Sequence, residues 1–287
     1  MTTADRPNPP HRPDPLDRPS TPDRRETANQ PDRREQMRQP NRAATPDQPN
    51  RPDPCDTAER TGTPDTPLTP RRPGRRYEYI DDGPAIYADS FAIIRSEARL
   101  SHLPANAERL AVRMIHGSGQ VDLADDLVVH PELVPAARAA LRSGAPILCD
   151  ATMVATGVTA NRLPRDNDVL CFLGDERVPG LARDWGTTRT AAAVSLWEPL
   201  LDGAVVAVGN APTALFHLLE MLAEGAPRPA AIIGCPVGFV GAAESKQALT
   251  EFADRFGVDV PYVTARGRRG GSAMTSSALN ALAKEEE

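Results

Sequence analysis

The sequence predicts an α/β fold: a single domain on a mostly parallel five-stranded sheet, helices on both faces, preceded by a disordered tail. Two buried strands with glycine-broken turns carry the sheet reading. Ala204-Val205-Val206-Ala207-Val208 leads into Gly209-Asn210-Ala211-Pro212 and an apolar helix over 213–223. Ala230-Ala231-Ile232-Ile233 leads into Gly234-Cys235-Pro236-Val237-Gly238 and a helix from about Gly241. Short, wholly apolar runs separated by helices are the mark of a parallel sheet, whose ligand crevice lies beyond the strands' carboxyl ends. A shift in composition near Arg75-Arg76 carries the tail reading and divides the chain into 1–76 and 77–287.

Residues 1–76 hold more than half of the chain's 30 prolines and no lysine. They repeat phrases such as Pro22-Asp23-Arg24-Arg25 and Arg51-Pro52-Asp53-Pro54, with Leu16, Met37 and Leu68 as isolated large apolar residues. Such a segment cannot bury enough surface to offset the entropy of ordering its backbone. It has no central apolar run of the kind a secretory signal needs.

From Tyr77 the elements follow in order. Residues 84–100 read as a helix with Phe91 and Ile94 toward the core. Pro104 opens a second helix carrying Leu110, Met114 and Ile115, stopped by Gly117-Ser118-Gly119. A third helix follows Pro131 and ends at Gly144. Pro146-Ile147-Leu148-Cys149 is a strand ending at Asp150, and 168–173 is another. Residues 187–200 read as a helix. The two glycine-broken units come next. Pro261-Tyr262-Val263-Thr264 is the last strand, running into Arg266-Gly267-Arg268-Arg269-Gly270-Gly271-Ser272 and a final helix through Leu282.

The formal charge of −6 disfavours general nucleic-acid binding, which needs a basic face. No apolar run approaches the ~20 residues of a membrane span. Cys55, Cys149, Cys171 and Cys235 form no C-x-x-C pair, which argues for packing cysteines in a reducing cytoplasm over a metal site. A P-loop is absent, as are the G-x-G-x-x-G fingerprint and the Gly-x-Ser-x-Gly elbow, so nucleotide and acyl-transfer chemistry lack their usual marks. The turns at Gly209, Gly234 and Gly267 share one edge. They either present backbone N–H groups to a ligand or simply permit tight turns. Arg109, Arg113 and His116 fall at i, i+4 and i+7 on one helix face. A histidine there can give and take a proton, and an arginine beside it can hold a carboxylate. The alternative is a helix-end histidine favoured by the dipole.

Taken together, Tyr79-Ile80, Asp82-Gly83-Pro84-Ala85-Ile86-Tyr87, Ser90-Phe91-Ala92-Ile93-Ile94-Arg95 and Arg113-Met114-Ile115-His116 resemble the start of the precorrin-8X methylmutases (precorrin isomerases) of cobalamin synthesis. The resemblance continues through Gly144-Ala145-Pro146-Ile147-Leu148-Cys149-Asp150, Thr188-Arg189, Gly209-Asn210-Ala211-Pro212, Gly234-Cys235-Pro236-Val237-Gly238, Ala243-Glu244-Ser245-Lys246 and 266–272. It covers residues 77–284 in order.

The resemblance implies an isomerase that moves a methyl group between adjacent carbons of ring C of precorrin-8X to give hydrogenobyrinic acid, or cobyrinic acid from a cobalt-bearing substrate. It implies a homodimer that needs no cofactor and no metal. The family's catalytic histidine falls on His116, which would protonate the macrocycle and ease a 1,5-sigmatropic shift. Ser90 and Arg113 carry over as substrate contacts. Arg189, Asn210, Ser245, Lys246 and Ser272 follow as contacts from their place on the ligand edge, with Lys246 equally readable as a solvated helix residue. Thr156 and Thr159 lie where they could touch the ligand. Asp150 orients a group there or caps a helix. A non-catalytic tetrapyrrole carrier is the competing function.

Overall fold

The computed structural model describes residues 70 and 72–284, so nearly all of the tail lies outside the described residues. The chain divides between Gly74 and Arg75, and the unit from Arg75 carries every element below.

Asp82 opens the first helix, α1 (Gly83–Glu97): its carboxylate accepts the Ala85 N–H at 3.4 Å, and Pro84 sits in the first turn, where its missing N–H costs nothing. Phe91 and Ile94 are buried, while Ile86, Tyr87 and Ile93 stay exposed. A short 3-10 turn (Ala105–Ala107) leads into α2 (Glu108–Ser118), whose residues from Leu110 through Ile115 are all buried. Gly119 ends α2 in the left-handed region at φ 68°, returning its N–H to the Ile115 carbonyl.

One helical turn, α3 (Leu123–Asp126), feeds β1 (Leu127–Val129), and α4 (Leu133–Arg142) precedes β2 (Ile147–Cys149). Then come α5 (Thr152–Gly157), β3 (Val169–Leu170), α6 (Val178–Asp184) and α7 (Arg189–Val194). The chain continues through β4 (Val205–Val208), α8 (Pro212–Ala223), β5 (Ala231–Gly234), α9 (Ala242–Thr250), α10 (Phe252–Phe256), β6 (Tyr262–Ala265) and α11 (Ser272–Ala283).

The sheet has six strands in the order β1-β6-β5-β4-β2-β3. The five predicted strands are all present and mutually parallel. The sixth, β1, was not predicted; it pairs antiparallel with β6, Val128 facing Thr264. Three residues after an acidic turn give no alternating pattern to read. The helix predicted over 187–200 is α-helical only to Val194 and continues as a 3-10 helix (Ser195–Leu200) containing Pro199. Proline supplies no N–H and crowds the carbonyl four residues back, so the α-helix cannot run through it.

Alternation along the strands sorts the core into two faces. Ile147, Cys149, Val205, Ala207, Ile233, Val263 and Ala265 point toward α2, α4 and α11. Leu148, Val206, Val208 and Ile232 point toward α8, α9 and Trp197. Both faces are covered, as a parallel sheet requires. Among the described residues no helix is long and apolar enough to cross a membrane.

Candidate active site

Strands β2, β4, β5 and β6 run the same way, so the turns after them gather on one edge. The turn after β2 places Asp150, only 2% exposed, beneath the turn after β4. The N–H groups of Gly209, Asn210 and Ala211 donate to its carboxylate at 2.9, 2.9 and 2.7 Å. Burial pushes the Asp150 carboxyl up from its ordinary value, against those three donors, which pull it down. Asp150 therefore caps no helix of its own; Ala151 precedes α5, and the carboxylate ties two strand ends together. The Gly209 position is equally committed. A Cβ there would stand 2.7 Å from Thr275 Oγ1 and 2.8 Å from a Val154 methyl, so close packing by α11 and α5 demands glycine.

The turns after β5 and β6 lock to each other. Gly271 N–H donates to the Cys235 carbonyl at 2.9 Å and Gly238 N–H to the Arg268 carbonyl at 3.3 Å. A Cβ on Gly270 would overlap the backbone of Cys235 and Pro236. Arg269 pairs with Asp122 at 2.5 Å and Asp126 at 3.4 Å, and the guanidinium holds the Asp122 carboxyl below its usual value. Its carbonyl accepts from the Lys246 ammonium. Lys246 is only 1% exposed, and burial lowers its pKa. Burial likewise pushes the Cys235 thiol up to about 12, leaving it a packing group at neutral pH. Arg268 is exposed and stacks over the Phe239 ring at 5.1 Å.

His116 stands at the last turn of α2, exposed. Tyr87 and Phe91, one helical turn apart on α1, each bring a ring centroid within 5.3 Å of the imidazole. Arg113 is buried with its guanidinium 5.1 Å over Phe91. The predicted face of Arg109, Arg113 and His116 thus runs from protein interior to open surface. Next to His116, Gly117 lets α11 approach: a Cβ there would overlap the Ser277 hydroxyl. An open cavity of about 440 Å³ begins at Gly117 and Ser118, with Gln120, Val237, Arg268 and Arg269 among its walls. A larger cavity, about 550 Å³, lies beside α9 and is lined by Lys246, Arg255, Arg266, Glu244 and Glu251; no member of the His116 cluster lines it.

The predicted site residues separate into groups. His116 and Arg113 share the Phe91 ring, and Ser90 adjoins it on α1, half-buried. Asn210 keeps its side chain exposed while its backbone serves Asp150. Ser272 is buried at the first position of α11. Ser245 is fully buried and its hydroxyl donates to the Ala242 carbonyl at 3.2 Å, which leaves it no surface toward a ligand. Lys246 is buried too, so its reading as a solvated residue is corrected. Arg189 is exposed at the start of α7 and donates to the Leu173 carbonyl at 3.2 Å; no contact joins it to the His116 cluster. Thr156 donates back to Thr152, and the Thr159 N–H donates to the Asn280 side chain.

Sequence reasoning did not assign Tyr87, Phe239, Asp122 or Asp126 to the site. Tyr87 and Phe91 at i and i+4 was a readable signal; the acids of α3 gave none, because only folding sets them against Arg269.

The family profile of the precorrin-8X methylmutases matches residues 85–285. The chain belongs to this family. Precorrin-8X methylmutases are methyl-shifting isomerases of cobalamin biosynthesis, and this chain is such an isomerase. It is 60% identical over 208 residues to a precorrin-8X methylmutase of a Sinorhizobium species, covering 72% of this chain and 97% of that one. It is 60% identical over 210 residues to the Pseudomonas aeruginosa precorrin-8X methylmutase, covering 73% and 99%. The crystal structure of a precorrin-8X methylmutase from Thermus thermophilus superposes with a TM-score of 0.62 at 40% identity, covering 70% of this chain and 94% of that one.

Proposed function

We propose that the protein converts precorrin-8X to hydrogenobyrinic acid, moving a methyl group between adjacent carbons of ring C with His116 as the proton donor. The observation that carries this is the setting of His116. It is an exposed imidazole flanked by two aromatic rings, one of which also carries the buried Arg113 guanidinium, and it stands one residue from a cavity with a cationic wall. The imidazolium gives its proton to the macrocycle, the methyl group migrates with its bonding pair in a 1,5-sigmatropic shift, and the imidazole recovers the proton. Nothing is oxidised or reduced and no atom leaves, so the chain needs one proton carrier and a rigid shape rather than a triad or an added cofactor.

Ser90 and Arg113 contact the substrate in this reading. Asn210, Ser272 and Arg189 line the approach, while Ser245 and Lys246 support the edge from within. The metal-free substrate is favoured because the relatives at 60% identity bear its name. A second copy of the chain covers the exposed Ile86, Tyr87 and Ile93 of α1, making a homodimer with the site close to its seam. Free Cys149, Cys171 and Cys235 suit a reducing cytoplasm, and the charge of −6 suits neither nucleic acid nor an anionic membrane surface.

Incubation of the purified protein with precorrin-8X, and separately with its cobalt form, tests the reading. Conversion of the metal-free substrate, followed by absorption as the conjugation changes, is expected. Faster turnover of the cobalt form would replace the substrate assignment, and tight binding without turnover would make the protein a carrier.

A further inference from the structure

We infer that Arg268 and Phe239 form a two-part rim that receives one carboxylate arm and the adjoining flat face of the macrocycle, while Arg269 is structural. The inference rests on the proposed function and deepens it. The two neighbouring arginines look interchangeable in sequence but are held in opposite ways. Arg269 is fixed from both ends, its guanidinium between Asp122 and Asp126 and its carbonyl on the Lys246 ammonium. Its charge is already matched by two acids. Among the described residues Arg268 has no carboxylate partner. It is exposed, it lines the 440 Å³ cavity that begins beside His116, and its guanidinium carbon sits over the Phe239 ring, 5.1 Å from the centroid.

The pair is preorganised. The Gly238 N–H to Arg268 carbonyl bond ties the two turns together next to the stack, and the overlap that any Cβ on Gly270 would cause shows how closely the backbones meet. A guanidinium stacked on an aromatic ring keeps its planar fork aimed outward with little freedom left to lose on binding. Phe239 and Val240 are 83% and 89% exposed, an unusual display of large apolar side chains next to Arg268, which lines the cavity. An apolar surface joined to an unmatched, bidentate cation fits a ligand with a flat apolar body and carboxylates at its edge. Neither a simple anion nor an apolar ligand would use both parts.

Titration of the full-length protein with hydrogenobyrinic acid, read by absorption, tests the assignment. Arg268→Gln is expected to weaken binding by about 10- to 100-fold, the loss typical of a charge-assisted hydrogen bond. Arg268→Lys should recover only part of it, because a point charge cannot replace the stacked fork. Phe239→Ala should weaken binding less. The double variant should lose less than the product of the two single losses, since Phe239 acts partly by aiming Arg268. All four proteins should melt with the wild type, whereas Arg269→Gln should lower the melting temperature. Wild-type affinity in Arg268→Gln, in a protein that still converts precorrin-8X, overturns this inference and leaves the function intact. A wild-type protein inert toward precorrin-8X overturns both. If Phe239→Ala dissociates the oligomer by light scattering and binds product normally, the turn is a subunit surface and the inference fails.

Discussion

Asp150 and His116 are both polar side chains near the sheet edge, and they are held in opposite ways. Asp150 is buried and committed: three backbone N–H groups converge on one carboxylate. His116 is exposed, and its close neighbours are rings. A group buried to 2% exposure and bound to three donors is closed to a ligand and holds the chain in shape. An imidazole set among aromatic faces keeps its nitrogens for an incoming molecule. Well-made hydrogen bonds near this edge therefore mark the frame, and an imidazole without them is left open to a ligand.

The comparison can be broken most sharply at His116. His116→Ala is expected to lower kcat by about 10² to 10⁴, the range for loss of a general acid–base group, with the melting temperature unchanged. Normal turnover in that variant would remove the histidine from the mechanism. Asp150→Ala should show the reverse pattern. It strands three donors, so unfolding in urea should reveal a loss of about 3 kcal/mol or more, while the folded fraction keeps most of its kcat. Stability within 1 kcal/mol of wild type would mean that water replaces the carboxylate.

Gly117→Ala tests whether the two regions depend on each other. The added methyl collides with Ser277, costing about 1–3 kcal/mol and displacing the end of α2 that carries His116. Activity and stability should both return in Gly117→Ala/Ser277→Gly, and failure of that rescue would place the damage elsewhere.

The smallest effect concerns Lys246. Burial lowers its folded pKa below 10.5, so unfolding takes up a proton between that lowered value and 10.5. Lys246 therefore makes stability rise with pH across this window. In Lys246→Met that contribution should vanish, so the gap between wild type and variant should shift toward the wild type as pH rises. A pH-independent gap would mean that the lysine keeps its ordinary affinity for protons.

The parallel core was legible in the sequence because its strands are apolar on both faces, as Val205 through Val208 show. β1 was not legible, since an edge strand of three residues gains its identity only by pairing with β6. His116 and Arg113 could be joined by helical spacing. Their relation to Tyr87 and Phe91 could not, because α1 and α2 meet through packing. The glycine turns do gather on one edge as their strands implied, but at Gly209 the reason is contact with α11 rather than space for a ligand. Lys246 misled for the same kind of reason: a charged residue in a helix reads as solvated until the carbonyl that receives it is known.

The contact between Gly117 and Ser277 has a consequence for the order of events during synthesis. The helix that bears the histidine leaves the ribosome early, yet the surface it packs against is among the last segments translated. β6, on which the antiparallel β1 depends, is also late. A nascent chain ending before Ser272 holds His116 on a helix that has α1 beside it but still lacks α11. The seat of α2 is thus complete only once α11 has emerged, and a chain stalled just short of it leaves Gly117 without the surface it is shaped to meet.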